Sequence, residues 1–444
     1  MSDILASLDG RIRPGRLDAA QLAENFADAH PALGPRQALV EAERCYFCYD
    51  APCIEACPTG IDIPSFIAKI NDGNLRGSAE TILSANIFGG ACARVCPTEI
   101  LCEQACVRTT QENKPVAIGA LQRHATDYLM EQGVHPFTRA PETGRHIAVV
   151  GAGPAGLSCA HRLAMLGHRV TVYEARPKGG GLNEYGVAAY KLAGNFAQEE
   201  LDFILAIGGI TILHERRLGR DITLDALRQS HDAVFIGLGH QAIRGLTLSA
   251  APLAGVMDAA GFIEALRQAP DKALVPVGAR VVVIGGGNTA IDAAMQARRL
   301  GAGDVTIAYR RGLEHMSATG FERDWARTSG IRIRTWAVPK VLHGRNGAVT
   351  AVEFETSGQE PDLEPADMVL QAVGQLFDPT PLAGAAVVPA IENGRLVVDA
   401  DGLTTLPMVY AGGDCTPGPD LTVSAVQDGK LAALAIHAAL TGSN

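Results

Sequence analysis

Two textures alternate along the chain. Residues 1–44 read as helical and amphipathic, with apolar positions recurring at helical spacing in Leu17-Asp-Ala-Ala-Gln-Leu-Ala-Glu-Asn-Phe26 and Pro35-Arg-Gln-Ala-Leu-Val-Glu-Ala-Glu-Arg44. Pro64-Ser-Phe-Ile-Ala-Lys-Ile and Gly77-Ser-Ala-Glu-Thr-Ile-Leu predict two more helices, the first opening on a proline that suits a helical first turn. A further helix is predicted over 114–132. Pro136, Pro141 and Gly144 mark 133–144 as a linker.

Beyond the linker the period changes. Arg145-His-Ile-Ala-Val-Val150 is a short apolar run that meets Gly151-Ala-Gly153-Pro154-Ala155-Gly156. A helix over 157–167 and the strand His168-Arg-Val-Thr-Val-Tyr-Glu174 complete a βαβ unit. The plan returns 134 residues later as Ala279-Arg-Val-Val-Val-Ile284, Gly285-Gly-Gly287-Asn288-Thr289-Ala290, a helix over 291–300, and Asp304-Val-Thr-Ile-Ala-Tyr-Arg310. One nucleotide-binding unit is therefore present twice.

The glycines of each turn let the backbone approach a pyrophosphate whose charge rests on the following helix N-terminus. Glu174, 23 residues after Gly151, is placed to bind ribose hydroxyls in the first unit. In the second unit Tyr309 takes the place of that acid, and Arg310 and Arg311 follow. Guanidinium groups pair with a 2′-phosphate that an acid would repel, so the second site is expected to favour NADP(H) over NAD(H). Near the C-terminus, Pro407-Met-Val-Tyr-Ala-Gly-Gly413-Asp414 is a strand ending in an acid, and a helix begins at Thr422. This pair resembles the second FAD signature of two-dinucleotide flavoprotein reductases. There the acid holds the flavin's sugar chain and the helix N-terminus faces the ring.

Eight of the ten cysteines fall between residues 45 and 106. The first block is Cys45, Cys48, Cys53 and Cys57-Pro58; the second is Cys92, Cys96-Pro97, Cys102 and Cys106. Zinc favours paired CxxC units, four ligands to a tetrahedral site. A run of CxxC followed by wider spacings and Cys-Pro instead resembles iron–sulfur ligation. Zinc stays open as the alternative. No CxxC pair accompanies either glycine turn. Cys159 falls on the first nucleotide-binding helix, where a small core residue is expected.

Composition narrows the partners. The net charge is -10, which disfavours nucleic acid and anionic membranes. No apolar run approaches the roughly 18 residues that span a bilayer. The start, MSDILASLDGRIRPG, has no basic segment leading into an apolar core, so no secretory signal is expected. A reducing, cytoplasmic setting follows, and it disfavours disulfides.

The cysteine head joined to this core resembles, over 40–444, the small subunit of bacterial glutamate synthase and, more closely, the N-terminal half of dihydropyrimidine dehydrogenase. That half occurs in bacteria as a separate subunit. The resemblance implies an α/β fold of two Rossmann-type nucleotide-binding domains preceded by an α-helical domain with two 4Fe–4S clusters. The implied bounds are 1–140 for the helical domain, 145–277 and 366–444 for a split FAD domain, and 278–365 for the nicotinamide domain. It further implies that Cys45, Cys48, Cys53 and Cys106 hold one cluster, and that Cys57, Cys96, Cys102 and Gln122 hold the other. Gln122 lies sixteen residues after Cys106, as in the family, and Cys92 is left out.

The segment from Gly179 through Gly181-Leu182 to Lys191-Leu192 resembles the family's stretch over the flavin, with Val-Ala-Ala where Ile-Pro is usual. Gly151, Gly153, Pro154, Ala155, Gly156, Glu174, Gly181, Leu182, Gly413, Asp414 and Thr422 would then contact FAD. Gly285, Gly287, Asn288, Thr289, Ala290, Arg310 and Arg311 would contact NAD(P)H. Electrons would pass to a larger FMN and iron–sulfur subunit, in a heterotetramer, that reduces uracil or thymine. No side-chain acid or base is assigned, since hydride transfer to a flavin needs alignment more than proton transfer. Two readings stand beside this one: a glutamate synthase or ferredoxin-linked subunit, and a zinc-bearing flavoprotein scaffold without catalysis.

Overall fold

The computed structural model describes residues 11–355 and 360–442. Residues 1–10, which carry most of the stretch where no secretory signal is expected, lie outside them. The chain divides into two compact units. One comprises Met1–Ala29, Tyr185–Ala193 and Ile243–Gln375, the other His30–Glu184, Gly194–Ala242 and Leu376–Asn444.

In chain order the helical part holds α1 (Ala19–Asn25), α2 (Pro35–Ala42), α3 (Ile63–Asn71), α4 (Leu75–Ala85), α5 (Gly89–Val95) and α6 (Ile118–Glu131). The first βαβ unit is β1 (His146–Val150), α7 (Pro154–Met165) and β2 (Arg169–Tyr173); α8 (Phe196–Leu205), β3 (Ile210–Leu213) and β4 (Ala233–Ile236) follow. Next come β5 (Val256–Asp258), α9 (Ala259–Gln268), β6 (Arg280–Gly285), α10 (Asn288–Arg299), β7 (Asp304–Ala308), β8 (Arg332–Arg334) and β9 (Met368–Ala372). The chain ends with β10 (Val409–Ala411) and α11 (Thr422–Thr441).

In the larger unit the strands form a parallel five-stranded sheet in the order β10-β4-β1-β2-β3. Ile147, Ala148, Val149 and Val150 are all buried, as a strand covered on both faces requires. Helices α7 and α11 pack at unusually close range. A Cβ on Gly429 would lie 2.1 Å from the Ala155 carbonyl oxygen, so α11 needs glycine where it crosses α7. Cys159 sits in this contact, fully buried, as the small core residue expected. The helices before the sheet bury Phe66, Ile67, Ile82, Leu121 and Leu129, each side chain contributing about 1.5–3 kcal/mol. Helix caps match the sequence: the side chains of Asp62 and Asn74 accept from the Ser65 and Gly77 N–H groups.

The smaller unit repeats the plan with the parallel order β8-β7-β6-β9-β5. A three-stranded antiparallel sheet, Pro339–Arg345, Ala348–Phe354 and Asp362–Pro365, belongs to the same unit. So do α1, with an Asp18 capping box, and the short strand Ile12–Arg13, paired with Val277–Gly278.

These bounds differ from the expected ones. β5 and β9 join the second sheet, and α9 belongs to the same unit, although the sequence placed 256–268 and 368–372 in the FAD domain. Both strands are short; β9 pairs with β6 and β5 with β9, a long-range pairing that no local pattern reveals. Residues 11–29 and 185–193 likewise belong to the smaller unit.

Candidate functional site

The first glycine turn joins the C-terminal end of β1 to α7. Gly151 has φ +97°, and a Cβ there would fall 2.3 Å from the Gly237 carbonyl oxygen. A Cβ on Gly156 would fall 1.9 Å from the Gly151 oxygen, so neither position admits another residue. Gly153 is the N-cap and Pro154 the first helical residue. The N–H groups of Ala155 and Gly156 have no acceptor within the helix and are left for an anion.

Glu174 is buried at the end of β2. Its oxygens accept from the N–H of Ala152 at 2.7 Å and of Arg176 at 2.8 Å, with lone pairs remaining for ribose hydroxyls. Gly181 lies over the turn, close enough that a Cβ would come 2.7 Å from the Gly153 Cα. Leu182, beside it, is exposed. From the sheet's other edge, Gly413 and Asp414 follow β10, and Gly413 N–H donates to Asp428 at 2.9 Å. Burial and the neighbouring Asp420 push the Asp414 carboxyl up, against the pull of His240 and Arg395. Thr422 opens α11. Glycine cradle, acid and helix N-terminus thus converge on the carboxyl edge of one parallel sheet, and the fit is to a dinucleotide such as FAD.

The second turn, in the smaller unit, joins β6 to α10. Gly285 has φ +153°, with a Cβ position 2.3 Å from the Ala372 carbonyl oxygen. Gly287 is the N-cap, and Asn288, Thr289 and Ala290 form the first turn. Asn288 Oδ1 accepts from Thr319 N–H at 3.3 Å. Tyr309 is buried with its ring against Gly286, where a Cβ would meet it at 2.4 Å. Its hydroxyl donates to the His315 carbonyl at 2.5 Å and accepts from Arg311 Nε at 3.2 Å. Arg310 and Arg311 are both exposed beside the turn.

The cysteine head lies in the larger unit. Cys45, Cys48, Cys53 and Cys106 line one small cavity floored by Ile63 and Ile67. Burial, then the other thiols, pushes Cys45 up and Cys53 up to about 12. The loop takes left-handed backbone at two non-glycine residues, Phe47 (φ +51°) and Ala51 (φ +23°), strain of a kind held at functional sites.

A second group contains Cys57, Cys92, Cys96 and Cys102. A hydrogen bond with Cys92, then burial, raises Cys96. Burial, then Glu103 and Cys57, raises Cys102. Burial thus disfavours the thiolate at Cys45, Cys53, Cys96 and Cys102, and a cation such as the iron of an iron–sulfur core would offset that. Gln122 is buried on α6 and donates from Nε2 to the Gly89 carbonyl at 2.7 Å, leaving its oxygen as the ligating atom a cluster could use. Cys92 is also buried here beside Cys96, so the second group already has four thiols, as many donors as a cluster takes, without Gln122.

Sequence reasoning missed several groups around the head. Glu200 of α8 is wholly buried and accepts from Ala91 N–H at 2.8 Å, at the start of α5. Burial pushes its carboxyl up to about 8. Arg94 forks onto Asp127 at 2.8 and 2.9 Å and covers the Phe196 ring at 3.6 Å. Lys430 of α11 reaches the head, and Asn183 sits buried beside Thr422. Asn183 lies within the segment from Gly179 to Leu192 but was not singled out there, and each of these groups acts across elements apart in sequence. No described helix is long and apolar enough to cross a membrane.

Comparison with known proteins agrees with both halves. Residues 22–134 match the family described as dihydropyrimidine dehydrogenase domain II, 4Fe–4S cluster, and residues 145–429 match that of pyridine nucleotide-disulphide oxidoreductases. The NAD-dependent dihydropyrimidine dehydrogenase subunit PreT of Escherichia coli O157:H7 is 35% identical over 422 residues, covering 95% of this chain and 98% of that protein. The glutamate synthase [NADPH] small chain of E. coli K12 is 33% identical over 441 residues, covering 92% of each. In fold, 67% of the chain matches 99% of a T. acidophilum thioredoxin reductase with a TM-score of 0.51 and 22% identity.

Proposed function

The chain belongs to the family of dihydropyrimidine dehydrogenase PreT subunits and glutamate synthase small chains, and on that premise we propose that it is the electron-input subunit of a dihydropyrimidine dehydrogenase. At the level the family fixes, it is an NAD(P)H-dependent flavoprotein oxidoreductase with a 4Fe–4S domain. In the finer reading it holds one FAD and two 4Fe–4S clusters, prefers NADP(H) to NAD(H), and works in the cytoplasm. A larger FMN and iron–sulfur subunit, assembled with it as a heterotetramer, reduces uracil or thymine to the 5,6-dihydropyrimidine.

The observation that carries this reading is the gathering of the eight head cysteines into two groups inside the unit that also contains the first glycine turn. Bound FAD and clusters would supply the conversion of one hydride into two single electrons and their onward transfer. The chain's own residues bind and orient. The first turn of α7, with Gly153, Pro154, Ala155 and Gly156, receives the FAD pyrophosphate; Glu174 fixes the ribose. Gly181 and Leu182 cover it, Gly413 and Asp414 hold the sugar chain, and Thr422 presents the α11 N-terminus. In the smaller unit Gly285, Gly287, Asn288, Thr289 and Ala290 receive the NAD(P)H pyrophosphate, and Arg310 and Arg311 the 2′-phosphate. Cys45, Cys48, Cys53 and Cys106 ligate one cluster; Cys57, Cys96, Cys102 and Gln122 the other. The Gln122 amide is neutral, so its cluster carries one negative charge fewer and is the easier of the two to reduce.

Reconstitution with a pyrimidine-type FMN barrel subunit tests the reading. Uracil-dependent oxidation of NADPH by the pair is the expected result. No uracil-dependent turnover, with glutamate formation alongside a glutamine amidotransferase chain instead, would favour the second reading, which the 33% identity to the glutamate synthase small chain supports.

A further inference from the structure

Beside the first glycine turn one buried side chain is only half satisfied. Asn183 is 1% exposed. Its Oδ1 accepts from Thr422 Oγ1 at 3.2 Å, while its Nδ2 has no partner. Turning the amide over moves the deficit to the oxygen without removing it. A buried amide in that state is costly unless something else completes its bonding.

The surroundings say what that is. Gly181, two residues earlier, packs on Gly153 at the N-cap of α7. Thr422 is the first residue of α11, whose positive end faces the same edge of the sheet. The local chain turns its apolar neighbour outward, since Leu182 is 40% exposed, and its amide inward. The main-chain N–H of Asn183 is already bonded to the Gly180 carbonyl, which fixes the residue's backbone. The carboxamide is therefore anchored on one side by Thr422, and its Nδ2 is buried without a partner on the other.

We propose that the Asn183 carboxamide, oriented by Thr422, hydrogen-bonds the polar edge of the flavin ring and so sets both the affinity for FAD and its reduction potential. This rests on the flavin reading of the first site. The ring's edge offers carbonyl oxygens and an imide N–H, which an amide matches and an aliphatic side chain does not. Reduction adds electron density to that edge, so an amide donor there favours the reduced ring. Asn183 is a positioning and tuning residue in this scheme, not an acid or base.

The test uses the whole chain purified with FAD. Asn183→Leu removes the polar atoms at similar volume, Asn183→Ser keeps a shorter polar group, and Thr422→Val frees the carboxamide. The measurements are the FAD dissociation constant, the visible spectrum of bound flavin and its midpoint potential. We expect Asn183→Leu to weaken FAD binding about tenfold and to lower the potential, with a shifted flavin spectrum. Thr422→Val should move all three the same way by less, and Asn183→Ser should fall between wild type and Asn183→Leu. If Asn183→Leu loses FAD entirely while Asn183→Ser retains it, the proposal is supported. Wild-type affinity, spectrum and potential in both Asn183→Leu and Thr422→Val would overturn it and leave the flavin site standing. Wild-type protein that binds no FAD would overturn the flavin reading itself.

Discussion

Lys430 Nζ donates to the Thr59 carbonyl oxygen at 3.0 Å, and to that of Ala85 at 2.9 Å. This ties the last helix, whose N-terminus lies at the flavin-type turn, to the chain just after Cys57. Thr59 Oγ1 in turn lies 3.3 Å from Cys57 Sγ. Burial, then Arg162, lowers the Lys430 ammonium to about 8 against the opposing pull of Cys57. An ammonium there favours added negative charge on any cluster bound through Cys57. Lys430→Met should lower that cluster's midpoint potential, destabilise the fold by about 1–2 kcal/mol, and leave NADPH-driven dye reduction intact. Redox titration followed by EPR checks it, and an unchanged potential would refute the electrostatic role.

The second cysteine group offers Gln122 and Cys92 as rivals for one ligand position. The account assigns it to Gln122. Gln122→Leu should then remove or alter one of two EPR signals while the other persists, and Cys92→Ser should leave both. The reverse pattern would transfer the position to Cys92.

Coenzyme choice is expected to rest on Arg310, with Arg311 already bonded to the Tyr309 hydroxyl. Arg310→Ala should raise KM for NADPH about tenfold and leave KM for NADH within about twofold, as loss of one charged hydrogen bond implies. Steady-state kinetics with both coenzymes decides it. An unchanged NADPH preference would place the selectivity elsewhere.

The nucleotide-binding duplication was legible in the sequence because glycine turn, helix and flanking strands must recur at fixed spacing. The gathering of the cysteines was legible for the same reason. The bounds of the second unit were not: β5 and β9 are three and five residues long, and are specified by the pairing of β9 with β6 and of β5 with β9. Asn183, Glu200 and Lys430 were hidden for a related cause. Each owes its environment to a residue distant in sequence, Thr422, Ala91 and Thr59, and in isolation looks like a polar residue on a helix or loop.

Histidine pairs should give the fold an acid edge. His168 is fully buried, bonded to Thr143 Oγ1 at 2.7 Å and His437 Nδ1 at 2.8 Å. Burial, then His437, lowers it to about 4, and burial lowers His161 well below its ordinary value too. A group whose folded pKa is depressed stabilises the fold above its unfolded pKa, about 6.5, and loses that contribution as pH falls. Stability should be flat above pH about 7 and should drop between about 6.5 and 4, by at most about 3 kcal/mol from His168. Chemical denaturation across that range measures it, and His168→Asn should flatten the slope.

The claim that this chain carries electrons from a flavin to a cysteine-bound head is tested most directly by its metal and flavin content. Anaerobically purified protein should contain about eight irons, matching acid-labile sulfide and one FAD per chain. Zinc in place of iron, or no metal at all in folded protein that binds FAD, would contradict it.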